Sequence, residues 1–200
     1  MSAAPVEPFA ADPVAQLQAW LDEAVAAGAI EPTAMCVATA DAQGRPSSRM
    51  VLLRGLDERG LRFYTSYFSR KGRELHERGR IACVLWWGAL ERQVRVEGSV
   101  TQLSEDESDA YFESRPRGHR LATWASEQSE PVESRDVLEE RYAHFEERFE
   151  GEEVPRPHSW GGYLIVPDRF ELWQGRTNRL HDRIEYTREG PLWRTQRLQP

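Results

Sequence analysis

Between residues 33 and 103 the chain passes through five short apolar stretches, each ended by a turn. Residues 33–40 and 47–54 flank Asp41-Ala42-Gln43-Gly44, whose side chains favour a turn, so the three segments predict a β-hairpin. Residues 56–60 supply another turn and residues 61–66 a third strand. Ser69 is placed to cap a short helix to about residue 78, after which residues 81–87 and 90–103 read as a fourth and a long fifth strand. Strands joined by tight turns pair antiparallel, and helices here are inserted between strands rather than alternating with them. That favours an antiparallel β-barrel with peripheral helices, of α+β class, over a βαβ sheet.

The flanking regions fit the same architecture. Asp12-Pro13 followed by Leu17, Trp20, Leu21, Ala24 and Val25, with Gly28 as a stop, predicts an amphipathic helix. Ser104 and Glu107 form a capping box for a helix to about residue 114, and residues 117–126 read as helical. Ser134 opens a further helix on which Val137, Leu138, Tyr142, Phe145 and Phe149 form one apolar stripe. Residues 151–158, with Pro155 and Pro157, form a loop; residues 160–166, 170–174, 179–187 and 192–198 then predict short antiparallel strands. Residues 12–200 are expected to form one domain behind a flexible tail of residues 1–11.

Composition narrows the function. A net charge of −7 argues against a general nucleic-acid binder. No segment approaches the ~18 apolar residues of a membrane span, and residues 1–11 lack the features of a signal peptide, so a cytoplasmic protein is expected. Cys36 and Cys83 lack metal-ligand spacing and read as buried free thiols, and no metal site is expected. Neither GxGxxG nor GxxxxGK[ST] occurs, so any phosphate must be held by local side chains. Of 26 basic residues only Lys71 is lysine, which singles it out.

Several constellations suit an anion. Arg49 and Arg54 bracket Met50-Val51-Leu52-Leu53 and fall on opposite strand faces by parity. Arg70 and Lys71 lie in the first turn of the Ser69-capped helix, where free amides attract an anion and basic side chains are otherwise unfavourable; an exposed basic turn is the plainer alternative. Tyr111 and Arg115, four apart, can reach one phosphate or simply end a helix. Gln93 can bond a heteroaromatic edge or face outward, whereas Gln128-Ser129 carries no signal of its own. Arg179, His181 and Arg183 share one face if their segment is a strand, which suits an anionic ligand with a polar ring or an ordinary solvated face. No nucleophile triad or HExxH assembles, a pattern that suits chemistry carried by a cofactor.

Taken in order, Arg49 to Leu53, Tyr64-Thr65, Ser69-Arg70-Lys71, Leu90 to Val94, Tyr111 to Arg117, Gln128-Ser129, Trp160-Gly161-Gly162 and Trp173 to Arg183 closely resemble the pyridoxine/pyridoxamine 5′-phosphate oxidase family. The resemblance implies an FMN-binding split barrel that works as a homodimer, with FMN at the subunit interface. It implies FMN contacts from Arg49, Met50, Val51, Leu52, Leu53, Tyr64, Thr65, Arg70, Lys71, Gln93, Gln128, Ser129, Trp173 and Arg183. Arg54, Tyr111, Arg115 and His119 would meet the substrate phosphate, while Arg179 and His181 would cover the pyridine ring as the catalytic pair. The implied reaction oxidises pyridoxine or pyridoxamine 5′-phosphate to pyridoxal 5′-phosphate, passing hydride from C4′ to flavin N5 and then electrons to O2. Arg54 stands where the family usually has lysine, and His119 where a small hydroxyl residue is common. The family's Arg- and Tyr-bearing N-terminal segment has no recognisable counterpart in residues 1–11. These departures leave two alternatives: a related split-barrel oxidase of phenazine-biosynthesis type, or a flavin- or pyridoxal-phosphate-binding protein without turnover.

Overall fold

The computed structural model describes residues 9–200. Helix α1 (Pro13–Ala26) leads into strands β1 (Ala34–Ala40), β2 (Pro46–Leu52), β3 (Gly55–Asp57) and β4 (Gly60–Ser66). Helix α2 (Arg70–Arg78), strands β5 (Arg80–Trp87) and β6 (Arg92–Gln102), and helices α3 (Glu105–Glu113), α4 (Arg117–Ala125) and α5 (Arg135–Arg148) follow. Strands β7 (Trp160–Gln174), β8 (Asp182–Glu189) and β9 (Leu192–Arg197) complete the chain. The nine strands form one sheet in the order β2-β1-β5-β6-β7-β4-β3, with β8 on β7 and β9 on β8. Every pairing is antiparallel, as the hairpin pattern predicts.

Strand β7 organises the sheet. Along one side it pairs with β6; along the other, Trp160 to Ile165 pair with β4 and Arg169 to Gln174 with β8. The two strands expected at residues 160–166 and 170–174 are therefore one. Pro167 does not end it, because the register shifts between Glu97 and Gly98 opposite that point and the irregularity absorbs the missing donor. An added Cβ on Gly98 would lie 2.3 Å from the Val166 carbonyl oxygen, so only glycine permits this approach.

Met35, Val37, Leu61, Phe63, Leu85, Val94, Ile165, Phe170 and Leu172 fill the core, which α1 closes with Leu17, Trp20 and Ala24. Fully burying one such large side chain contributes about 1.5–3 kcal/mol. A second cluster of Phe112, Leu121, Phe149, Val154 and Trp160 ties the α3–α5 region to the start of β7. The α5 stripe is only half-buried at Val137, Leu138, Tyr142 and Phe145.

Four further expectations change. The turn expected over residues 56–60 opens on the end of β3, which forms a hairpin with β4, and the fifth strand begins at Arg92 after a 3₁₀ turn over Gly88–Leu90. Strand β8 begins at Asp182, not at residue 179. Of the tail expected over residues 1–11, residues 1–8 lie outside the described part, but Phe9 and Ala10 are pinned. The Phe9 ring meets Trp20 at 5.9 Å, and the Ala10 carbonyl accepts a 2.9 Å hydrogen bond from the Tyr186 hydroxyl. No helix among the described residues is long and apolar enough to cross a membrane.

Candidate functional site

A cavity of about 970 Å³ opens where β2, β4, the first turn of α2 and the α3–α4 junction converge. It is lined by fourteen of the residues named from sequence: Arg49, Met50, Val51, Leu52, Arg54, Tyr64, Thr65, Arg70, Lys71, Tyr111, Arg115, His119, Gln128 and Ser129. Leu53 departs from the expectation. It follows the end of β2, and its side chain is buried in the core rather than in the cavity wall.

Two of the cavity's cations, buried Lys71 and half-buried Arg115, have no carboxylate partner among the described residues. Lys71 is 6% exposed, and its Nζ donates to Thr65 Oγ1 at 2.9 Å, Gln128 Oε1 at 2.9 Å and Ser69 Oγ at 3.2 Å, all neutral acceptors. Burial, aided by the charge of Arg49, pushes its pKa down to about 8. Ser69 caps α2 by accepting from the Gly72 amide at 3.3 Å. A Cβ on Gly72 would sit 2.1 Å from the Tyr67 carbonyl oxygen, so glycine lets this turn press against the end of β4. The second cation, Arg115, donates to Thr123 Oγ1 at 2.8 Å and lies 4.6 Å over the Trp160 ring. Burial lowers its pKa; Tyr111 opposes the shift and the positive charge of Arg54 adds to it. Arg115 stands just beyond the end of α3, yet it reaches the same cavity as Tyr111. Tyr111 stacks on Tyr64 at 3.7 Å, and Trp160 continues that aromatic wall.

Behind the wall lies Glu74, which the sequence reading did not single out. Its carboxylate, 4% exposed, accepts from Thr39, from Ser47 Oγ at 2.7 Å, from Arg70 Nε at 2.9 Å and from Arg49 at 3.3 Å. Burial works to raise its pKa, and the hydrogen bonds from Thr39, Ser47, Arg70 and Arg49 overcome that and hold it at about 2. Its spacing of four from Arg70 was the available signal, but such pairs are common on exposed helices. Trp160 was quoted only as part of a motif, and nothing in its spacing marked it as a cavity wall.

Gln93, Trp173, Arg179, His181 and Arg183 do not line this cavity. Gln93, Trp173 and Arg183 instead form a cross-strand row on β6, β7 and β8, extended by Trp86 on β5. Trp86 is 54% exposed, and Met50, 62% exposed, belongs to the same outer sheet face. Arg183 is engaged by Glu171 in a two-pronged pair of 2.8 and 3.0 Å. Arg179 and His181 do not lie on a strand. Thr177–Arg179 is a 3₁₀ turn in which Asn178 and Arg179 have φ of 58° and 62°, so alternation does not govern their direction. Buried Asp182 closes the neck of this loop by accepting from Arg176 Nε at 2.7 Å and from Arg197. His181 rests 4.6 Å from the Trp173 ring, and its Nδ1 accepts from the Arg176 amide at 3.2 Å.

From Trp160 to Trp173 is thirteen residue steps of β7, about 43 Å of strand contour. The cavity and the Trp173–His181 group therefore occupy opposite ends of one long strand.

The chain is similar to known proteins in sequence and in fold. Residues 21–149 match the family model described as pyridoxamine 5′-phosphate oxidase, and residues 160–200 match the pyridoxine 5′-phosphate oxidase C-terminal dimerisation region. A protein from Rubrobacter xylanophilus named pyridoxine/pyridoxamine 5′-phosphate oxidase is 60% identical over 94% of this chain and 87% of its own length. One of the same name from Cupriavidus pinatubonensis is 54% identical over 96% of this chain and 90% of its own. Among solved structures, PhzG from Burkholderia lata 383, in complex with tetrahydrophenazine-1-carboxylic acid, superposes with a TM-score of 0.92 at 35% identity, covering 99% of this chain and 98% of that one.

Proposed function

Because this chain belongs to the pyridoxamine 5′-phosphate oxidase family, we propose that it is an FMN-dependent oxidase that converts pyridoxine and pyridoxamine 5′-phosphates to pyridoxal 5′-phosphate as a homodimer. The observation that carries this reading is a pair of cations in one cavity, buried Lys71 and half-buried Arg115, with no carboxylate partner among the described residues. Buried charges need compensation, and an FMN phosphate at Lys71 with a substrate phosphate at Arg115 would supply it for both.

FMN fits the residues at the α2 end. The helix N-terminus, Arg49, Arg70 and Lys71 form a cradle for a phosphate dianion, while Thr65 and Gln128 hold the Lys71 ammonium in place. When bound, FMN accepts the hydride lost from substrate C4′ and passes two electrons to O2, giving hydrogen peroxide. Arg115, Tyr111, Arg54 and His119 bind and orient the substrate phosphate. The Tyr64–Tyr111–Trp160 wall excludes water from that end.

The separation along β7 supports completion of the site by a second copy. In the proposed dimer the partner copy's Trp173 row faces the flavin, and its 176–181 loop covers the pyridine ring. In that loop the His181 Nδ1 is occupied by the Arg176 amide, which leaves Nε2 to face the substrate. The exposed Met50 and Trp86 lie on the face that would be covered.

Purified protein supplied with FMN should turn yellow, consume O2 with either B6 phosphate and produce the aldehyde. A protein that cannot bind FMN would overturn the proposal. The likeness to PhzG, with Arg54 and His119, favours a second reading, a related oxidase of a phenazine-type substrate. Flavin binding without bleaching by either B6 phosphate under anaerobic conditions, but with bleaching by a reduced phenazine carboxylate, would establish that reading instead.

A further inference from the structure

Glu74 stands one layer behind the cradle, outside the cavity lining, and accepts hydrogen bonds from two of the cradle's three basic side chains. Thr39 and Ser47 donate to it as well and, in turn, accept from Arg49, both at 2.5 Å. We propose that Glu74 is the positioning residue of the phosphate cradle, fixing Arg49 and Arg70 before the cofactor arrives and setting the cradle's charge; the proposal rests on the FMN reading above.

The role of Glu74 has two parts. Arginine side chains are long and lose much rotamer freedom when they bind. Glu74, with two bridging hydroxyls, takes up that ordering in the free protein, so an arriving phosphate meets donors already in place. Charge is the second part. Arg49, Arg70 and Lys71 alone total three positive charges, and the Glu74 carboxylate reduces the net charge to +2, which matches a phosphomonoester dianion. An exposed helix pair would do neither, but Glu74 is 4% exposed and joins α2 to β1 and β2.

The test compares FMN with riboflavin, which lacks the phosphate, by flavin fluorescence quenching on apoprotein, with the apoprotein melting temperature as a check on folding. For Glu74→Gln, about tenfold weaker FMN binding is expected with riboflavin affinity unchanged, and for Glu74→Ala a larger loss. Thr39→Val removes one of the two hydroxyls that join Glu74 to Arg49 while keeping every charge; it should weaken FMN by a smaller factor, and it carries the test if the Glu74 variants do not fold. Wild-type FMN affinity in Glu74→Gln, or equal losses for FMN and riboflavin, would overturn the positioning role alone. A wild-type protein that binds no FMN would overturn the oxidase reading itself.

Discussion

Lys71 should make cofactor affinity depend on pH in a direction opposite to that of the protein's own stability. Its pKa falls from 10.5 to about 8 on folding, a difference of 2.5 units, so burying the ammonium costs about 3 kcal/mol wherever both folded and unfolded states are protonated. That cost is fully present below pH 8. Between pH 8 and 10.5 the unfolded chain binds more protons, so the Lys71 contribution to apoprotein stability rises with pH, and above 10.5 the cost is gone. A phosphate dianion reverses the preference by restoring the ammonium. Affinity for FMN is then greatest below pH 8 and declines above it by a factor of 1 + 10^(pH − 8), about twofold at pH 8 and about tenfold at pH 9 relative to pH 7. The phosphate, with a second pKa of about 6, stays dianionic across that range. Fluorescence titration from pH 7 to 9.5 measures the dissociation constant, and calorimetry in two buffers of different ionisation enthalpy measures proton uptake, which should approach one per FMN at pH 9. Lys71→Arg keeps the charge without titrating, so its profile should be flat. A flat wild-type profile, or the same slope in Lys71→Arg, would refute the assignment of Lys71 to the phosphate.

Other perturbations separate the parts of the proposed site. Arg179→Ala should slow anaerobic flavin reduction at least tenfold with FMN retained, whereas Arg70→Ala with Lys71→Ala should release FMN; stopped-flow and gel filtration distinguish these outcomes, and the reverse pattern would overturn the division of roles. Replacing Arg115 by Lys loses the planar stack on Trp160 and the forked donor set, so KM for the B6 phosphate should rise about tenfold with FMN affinity unchanged. Trp86→Asp places a charge on the exposed outer face and should shift the protein to monomer in sedimentation, with turnover lost in proportion.

The sheet was legible because its strands are short, alternate cleanly and are punctuated by turns. The α2 cap was legible too, since Ser69 sits at the required position. Errors arose where local signals mimic one another. Pro167 resembles a strand end, but the irregularity at Gly98 accommodates it. Arg179, His181 and Arg183 have the spacing of a strand, yet two successive left-handed residues carry the chain through a 3₁₀ turn, and asparagine at 178 is the only local hint of this. The cavity residues from Arg49 to Ser129 were identified through the family resemblance, while their individual spacings left exposed turns and helix ends equally open. Glu74 went unread because its importance comes from Thr39 and Ser47, distant in sequence and brought to it by β1 and β2.

Strand β7 carries Trp160 at one end and Trp173 at the other, and this has a genetic consequence. In the proposed dimer each site takes one end from each copy, so damage to the two ends segregates. A subunit impaired at Lys71 still offers a sound Arg179 loop, and one impaired at Arg179 still offers a sound phosphate cradle. When the two are co-expressed, half of the sites in each mixed dimer inherit no lesion, and two inactive alleles restore activity together. Two lesions at the same end leave every site damaged. The strand thus sorts the gene's mutations into two complementation groups according to which end they affect.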